Sequence, residues 1–352
     1  YGVDATRLVL ASIETTDTRW NENQVESYRN FANKIWNAAR FCLMNSEGAQ
    51  VGQGFDEDRA NWALHDRWIV SRLNKTAQAV GAAIENYQFH AAVQTLYHFF
   101  WDDFCDWYIE LAKAEVTATQ ESAARNEARS RVLTVLEQAL RLLHPFMPFI
   151  TEELWQRLPG IGKQFLHPAY ESAPTTIMLA AYPQGQTELI DERAEADVQA
   201  IIELVSRVRN IRSEMNIKPG EAVQLLISAP DENLRGVFEA SAGHIARLVR
   251  ASDIEIAEKL DVPRAAARAV LAGGAEVAVP LEGLIDFAQE RERLSKEQEK
   301  LRQEAERLQG QLANENFVAR APAEKVEALR QRLTDIAQRT GALQQSMEAF
   351  AE

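Results

Sequence analysis

Within Glu22–Met44, the side chains suited to binding fall on one line. Asn30, Asn33, Lys34, Asn37, Arg40 and Phe41 recur at the three- and four-residue steps that share one helix face. A merely solvated face usually mixes Glu, Lys and Gln, which are good helix formers. This one has three asparagines, two cations, an aromatic ring and no acid. Asparagine is a weak helix former, so its repetition costs helix stability and calls for another reason. Amides donate to and accept from base edges, Lys and Arg meet phosphates, and a Phe face stacks an unpaired base. Single-stranded RNA loops offer all three targets. A polar seam against a neighbouring helix, with Phe41 simply packed, fits the same pattern. From the residues alone the two readings stand level.

Other constellations carry less. His90, His98 and Cys105 lie on an aromatic-rich stretch but lack the spacing and further ligands of a zinc site. Asp102, Asp103 and Asp106 have no nucleophile or base beside them, so dipole balance and local hydrogen bonds explain them. His144, before Pro145, reads as a structural residue at a helix bend. Gly48–Gly54 lacks the lysine and hydroxyl of a phosphate loop and reads as a linker. Arg207, Arg209, Arg212 and Lys218 cluster near the end of one helix, where the macrodipole favours cations and an RNA backbone could also be met.

The elements that must position these residues form three regimes. From about residue 21 to 158 the apolar period is helical, with the core stripe of the first helix read as Val25, Tyr28, Ala32, Ile35, Trp36, Ala39, Cys42 and Leu43. The dense aromatics of this region (Trp36, Trp62, Trp68, Phe99, Phe100, Trp101, Phe104, Trp107, Tyr108 and Trp155) read as core of an antiparallel helix bundle. Between Pro159 and Glu192 breakers interrupt the period, and the run from Thr175 to Ala180 reads as a strand. A small α/β module follows: helix 197–217, strand 222–228, helix 232–249 and strands 253–257 and 275–279.

In the last regime Val326, Leu329, Leu333, Ile336, Thr340, Leu343, Met347 and Phe350 make an a/d seam. Phe287, Leu294, Leu301 and Leu308 repeat every seven residues, with Leu284, Ala305 and Leu312 as companions. The link 314–322 contains Pro322. Together these predict an antiparallel coiled-coil hairpin with arms of about 45 Å. The expected fold class is mainly α: helix bundle, small α/β module and C-terminal hairpin.

Composition agrees with a globular chain of 352 residues, 46% hydrophobic and 26% charged. No apolar run approaches the length of a membrane helix and no secretory leader opens the sequence, so we expect no membrane partner. Two cysteines outside any C-x-x-C suggest a reducing, cytoplasmic setting. The first residue, Tyr1, leads us to expect a piece of a longer protein. A net charge of -14 argues against non-specific nucleic-acid binding, DNA included, but not against a local RNA surface.

Several runs resemble one enzyme family. The run VESYRNFANKIWNAARF at Val25–Phe41 resembles the first helix of the anticodon-binding domain of class I valyl-, isoleucyl- and leucyl-tRNA synthetases. The opening YGVDATRLVLAS resembles the segment after their second ATP-binding motif, and FFWDDFCDWYIELAK at Phe99–Lys113 and LLHPFMPFITEELWQRL at Leu142–Leu158 match further on. The run LANENFVARAPAEKVE at Leu312–Glu327 resembles the coiled-coil arm of valyl-tRNA synthetases, whereas isoleucyl enzymes commonly end in a cysteine-rich zinc module and leucyl enzymes lack the hairpin.

The resemblance implies roles. Lys34, Asn37, Arg40 and Phe41 would read the anticodon, with Asn30 and Asn33 on the same stripe. Arg307 and Arg332, aligned around Phe317, would contact the outer corner of tRNA, with seam residues such as Leu294 as scaffold. Implied divisions are 1–20, a connection after the catalytic domain; 21–192, the anticodon-binding bundle with its linker; 193–280, the α/β module; and 281–352, the arm. The implied function is recognition of tRNA(Val) by the C-terminal part of an ATP-dependent valine–tRNA ligase. With no H-I-G-H- or K-M-S-K-S-like motif and no editing domain, the piece alone would be catalytically inactive. It would hold no metal or other cofactor, ATP and Mg belonging to the intact enzyme. A monomer is expected. The alternatives are an isoleucyl or leucyl relative, or a coiled-coil protein-interaction module.

Overall fold

The computed structural model describes residues 2–14, 21–161, 176–285, 287–314 and 322–349. The breakers Gly162, Pro168 and Pro174, the start of the expected strand at Thr175, the link with Phe317, and Phe350 lie outside them, as do the side chains of Leu343 and Met347. Two compact units emerge, Tyr1–Ile202 and Glu203–Glu352, with one helix running through the division.

The first unit is helical. Its elements are α1 (Val3–Ala11), α2 (Glu22–Met44), α3 (Leu64–Glu85), α4 (Phe89–His98), a π-helical segment (Phe99–Tyr108), α5 (Ile109–Val116), α6 (Ala123–Leu143) and α7 (Pro148–Trp155). Local chemistry sets their ends. Asn21 caps α2 by accepting from Asn23 N at 3.0 Å, Ser122 caps α6, and Pro148 opens α7, where a missing N–H costs nothing. The orphan amides at the start of α7 are met from another helix: Asp4 of α1 accepts from Ile150 N at 2.8 Å and Phe149 N at 3.3 Å.

The core holds Phe99, Phe100, Phe104, Tyr108, Trp155 and Trp68, as the aromatic pattern predicts. Two buried polar knots lie within it. Glu137, wholly buried, receives Arg141 through both oxygens at 2.7 and 2.8 Å and Trp155 Nε1 at 2.8 Å. Asp66 accepts from Tyr108 Oη at 2.8 Å and lies 2.8 Å from Arg131 Nε; burial pushes its carboxyl up and Arg131 opposes the shift.

Three expectations need correction here. Trp36 is 41% exposed, and Phe31, 1% exposed, takes its place in the core. The buried stripe is rotated because Tyr97, Phe100 and Trp101 present a broad aromatic surface to Phe31. Gly48–Gly54 is no free linker: Ser130 and Thr134 of α6 accept from Gln50 N and Gly52 N, and Val51 N donates to Pro159 O. At Gly54, φ is +90° and a Cβ would stand 2.4 Å from Glu127 O, so glycine is required for this close approach. Residues Ile177–Leu179, expected as strand, form a 3₁₀ turn capped by Thr176.

The helix α8 (Glu192–Glu214) leads into the second unit. There β1 (Val223–Ser228), α9 (Glu232–Ala240), α10 (Ala242–Val249), β2 (Ala251–Ala257), β3 (Ala266–Val270) and β4 (Glu276–Pro280) form a mixed sheet in the order β2-β1-β4-β3. β1 pairs parallel with β2, which requires the α9–α10 crossover, and antiparallel with β4. As a central strand it buries Leu225, Leu226 and Ile227 in succession, which explains its poor alternation. The expected single helix 232–249 breaks at Ser241, and β3 was not foreseen, its Ala-Ala-Arg-Ala-Val composition being weak for a strand.

The unit continues with α11 (Phe287–Ala313) and α12 (Ala323–Ala349). Leu301, Leu308 and Ile336 are buried together, with Ala305, Leu329 and Leu333 packed on them. Cross-helix bonds join Glu304 to Arg332 and Gln298 to Gln344, so position falls along one helix as it rises along the other.

Candidate nucleic-acid interface

The stripe foreseen on α2 exists as a surface. Val25, Phe31, Ile35, Ala39 and Cys42 anchor the helix from below, at 0–2% exposure. Above them Asn30, Asn33, Asn37 and Arg40 are exposed and carry no side-chain partner among the described residues. A row of unpartnered amides on a helix fixed by five buried side chains is pre-ordered for hydrogen bonding. Among the described residues no other helix covers this row.

Lys34 and Phe41 sit at the edge of the row and behave differently. Lys34 Nζ donates to Asp106 Oδ1 at 2.6 Å and lies 5.0 Å from the centre of the Trp101 ring. Phe41 is half-buried, with Lys113 Nζ 5.8 Å from its ring centre. The π-helical segment and α5 therefore complete this edge. Its carboxylates are each matched: Asp102 with His98 at 2.9 Å, Asp103 with Arg72 at 2.8 Å, Asp106 with Lys34. Burial pushes the Asp103 carboxyl up, against the pull of Arg72. His90 faces Glu14 at 3.7 Å and His98 is held by Asp102, so these two histidines have carboxylate partners; the Cys105 thiol is buried and pushed up to about 12. His144, half-buried, meets Thr151 Oγ1 at 2.8 Å, as a helix-bend residue would.

Sequence reasoning missed part of the surface. Tyr97 and Trp101 stack at 5.5 Å and 17°, both half-buried, and Phe31 supports them from beneath. A recess of about 460 Å³ opens beside them, lined by Asn23, Gln24, Ser27 and Tyr28 of α2 and by Gln94, Tyr97 and His98 of α4. Asn23, Ser27 and Asn30 continue the α2 row at steps of four and three. The signal was there in the sequence, as Tyr97 and Trp101 stand one turn apart. In a stretch this aromatic, packing hides it.

In the second unit Arg307 is exposed on α11. Arg332 is paired across to Glu304 at 2.9 and 3.2 Å. Leu294 is 4% exposed.

Comparison with known proteins sets this geometry among relatives. Residues 66–227 match the anticodon-binding domain of tRNA ligases, and residues 286–351 match the valyl tRNA synthetase tRNA binding arm. A valine–tRNA ligase of Syntrophotalea carbinolica is 40% identical over 100% of this chain and 38% of its own length. That of Geobacillus stearothermophilus is 40% identical over 97% of the chain and 37% of its own length, and that of Bacillus subtilis 40% over 99% and 38%. A solved ternary complex of Agrobacterium radiobacter K84 agnB2 LeuRS with tRNA and LeuAMS covers 61% of this chain and 26% of its own at 17% identity, with a TM-score of 0.37, a level at which the likeness carries no argument. The chain spans about 38% of the length of the relatives it matches. The chain therefore carries, in order, the anticodon-binding domain of tRNA ligases and the valyl tRNA synthetase tRNA binding arm, and it is 40% identical to valine–tRNA ligases along nearly its whole length.

Proposed function

We propose that this chain is the tRNA-holding, C-terminal part of an ATP-dependent valine–tRNA ligase, and that it recognises tRNA(Val) in the cytoplasm as a monomer. The observation that carries the reading is the presence, in one chain, of an anticodon-binding domain and a valyl-type tRNA-binding arm. The exposed α2 row supplies the chemistry. Asn30, Asn33 and Asn37 offer amides to base edges, Arg40 and Lys34 meet phosphate, and Phe41 and Trp101 offer ring faces to unpaired bases. Lys34 must exchange Asp106 for a phosphate, which makes its contribution conditional on an incoming anion.

The pair α11–α12 acts as an antiparallel coiled-coil arm, with Arg307 and Arg332 set against the outer corner of the tRNA. ATP and Mg²⁺ belong to the longer protein. The acidic trio Asp102, Asp103 and Asp106 is taken up locally by His98, Arg72 and Lys34.

Filter binding tests the reading with tRNA(Val) and an anticodon-swapped version, on the native chain and on Phe41→Ala. The native tRNA should bind tighter, and Phe41→Ala should remove roughly tenfold of that preference, a stacking contact of ~1–3 kcal/mol. Equal binding of both tRNAs, unchanged by the substitution, would show that α2 reads no anticodon.

A further inference from the structure

Residues 228–285 fall between the two family matches, and the turn that leads into them is built around cations. After α8 the chain turns at Asn216, with φ at +50°, and passes through Lys218–Glu221 into β1. Two guanidiniums grip that turn. Arg212 Nη2 donates to Lys218 O at 3.1 Å and Glu221 O at 2.8 Å, and Arg250 Nη1 donates to Pro219 O at 2.8 Å. Arg209, one turn back along α8, donates to Leu248 O at 3.3 Å. Lys218 projects from the same turn with 82% of its side chain exposed, 3.6 Å from Glu221.

One guanidinium would suffice to hold a four-residue turn. Here two converge on adjacent carbonyls, and the cost is visible: Arg212 Nη1 is buried without a hydrogen-bond partner. Burial, and then the neighbouring Arg250, pull the Arg212 guanidinium below its ordinary range, with Glu221 opposing. Across 207–221 and 247–250, six Lys and Arg stand against two acids, in a chain of net charge -14. An anion placed at the turn would relieve this crowding. The donors are held by backbone carbonyls, so their forks are oriented in advance. The four side chains include no ring to stack a base and no amide to read one; they suit phosphate.

We infer that Arg209, Lys218 and Arg250, with Arg212 bracing the turn, form a further cationic surface that takes the sugar-phosphate backbone of RNA, separate from the α2 row and the arm. The inference rests on the tRNA-binding reading above. It gives the junction between the end of the matched anticodon-binding domain and the module that follows it a positioning role with no sequence preference.

The test is filter binding of a tRNA(Val) transcript to the full chain between about 50 and about 200 mM salt. The variants are Lys218→Gln, Arg250→Gln, their combination and Arg250→Lys, with circular-dichroism melts to check folding. Each Gln variant should lower the slope of log K against log salt by roughly 0.7–0.9, the value of one phosphate contact. The combination should weaken binding about tenfold near physiological salt, and Arg250→Lys should keep the native slope. A native slope in the double variant, with salt-dependent binding by the unaltered chain, would reduce the turn to a structural clamp. Equal loss for Arg250→Lys and Arg250→Gln at unchanged slope would say the same. If the unaltered chain binds no tRNA, this inference and the tRNA-binding reading fall together.

Discussion

The α2 row and the α11–α12 pair both present charges and amides to solvent, yet they are built in opposite ways. Beneath α2 lies a deep core, with Val25, Phe31, Ile35 and Ala39 at 1% exposure or less. Beneath the helix pair the core is one side chain thick, held by Leu301, Leu308 and Ile336. Asn30, Asn33, Asn37 and Arg40 have no side-chain partners among the described residues. On the pair, Lys296 meets Glu292, Arg302 meets Glu299 and Glu306, Arg330 meets Glu327, and Arg332 meets Glu304. A well-packed helix can leave its polar groups open for a ligand because packing already fixes them. A thin pair holds many of its charges in internal ion pairs, and a ligand must compete for those. The first arrangement suits discrimination, the second grip.

Breaking the deep core should have the largest effect. Glu137→Ala takes the acceptor from the buried Trp155 Nε1 and leaves Arg141 with Ala181 O but no carboxylate, and should cost about 3–5 kcal/mol. All seven tryptophans lie at or before Trp155, so tryptophan fluorescence during urea unfolding reports this region selectively. A loss below about 1 kcal/mol would mean that the knot does not fix α6 to α7.

The next test strikes the thin core. Ile336→Ala should cost about 2 kcal/mol, the low end for a buried isoleucine, because neighbours open to solvent can relax. The loss should appear in helical circular dichroism and leave the tryptophan transition in place. A shift of that transition would contradict a division between regions of separate stability.

The contrast in packing also explains what the sequence could reveal. Helix periods, much of the aromatic core and the part of the seam around Leu301, Leu308, Leu329, Leu333 and Ile336 were legible because they depend on local spacing. The α2 row was legible because asparagine there contradicts helix propensity. Trp36 and Phe31 were exchanged because α2 has apolar residues on both sides of its true stripe; only the ledge of Tyr97, Phe100 and Trp101, some 65 residues on, decides which side is buried. The glycine loop looked free because its fixing partners, Ser130 and Thr134, stand about 80 residues away. β3 went unseen because its pairing with β4, not its composition, makes it a strand. Long-range partners decide each of these cases.

A smaller effect separates the regions by pH. Burial lowers the pKa of His144 from its ordinary value, against the pull of Glu152 and Asp4. A depressed folded pKa means that the unfolded chain binds the proton first. The associated stability is therefore present above about pH 6.5 and is lost as pH falls through the folded value. Half-burial screens the effect to about 1 kcal/mol or less, roughly 2 °C in the tryptophan-detected melt between pH 7.5 and 5.5. His144→Gln should flatten that drop. In the helix pair Glu299 is held down at about 2 by Arg302 and Gln303, so the pair should not follow this titration. An unaltered pH response in His144→Gln would assign the titration to another group.

The smallest effect bears most directly on grip. Arg332 is held by Glu304 across the helix pair, and both side chains are substantially exposed, so Glu304→Gln should leave the melt unchanged. It should nevertheless free the guanidinium for phosphate. If Arg332 contacts tRNA, Glu304→Gln should tighten binding roughly two- to fivefold, the worth of an exposed ion pair that no longer competes. Arg332→Gln should weaken binding and lower the salt slope by roughly 0.7–0.9. Opposite signs from the two halves of one pair would show that the arm's internal charges set its grip. Equal small losses would instead mean that the pair only braces the helices, and the contrast with α2 would then rest on packing alone.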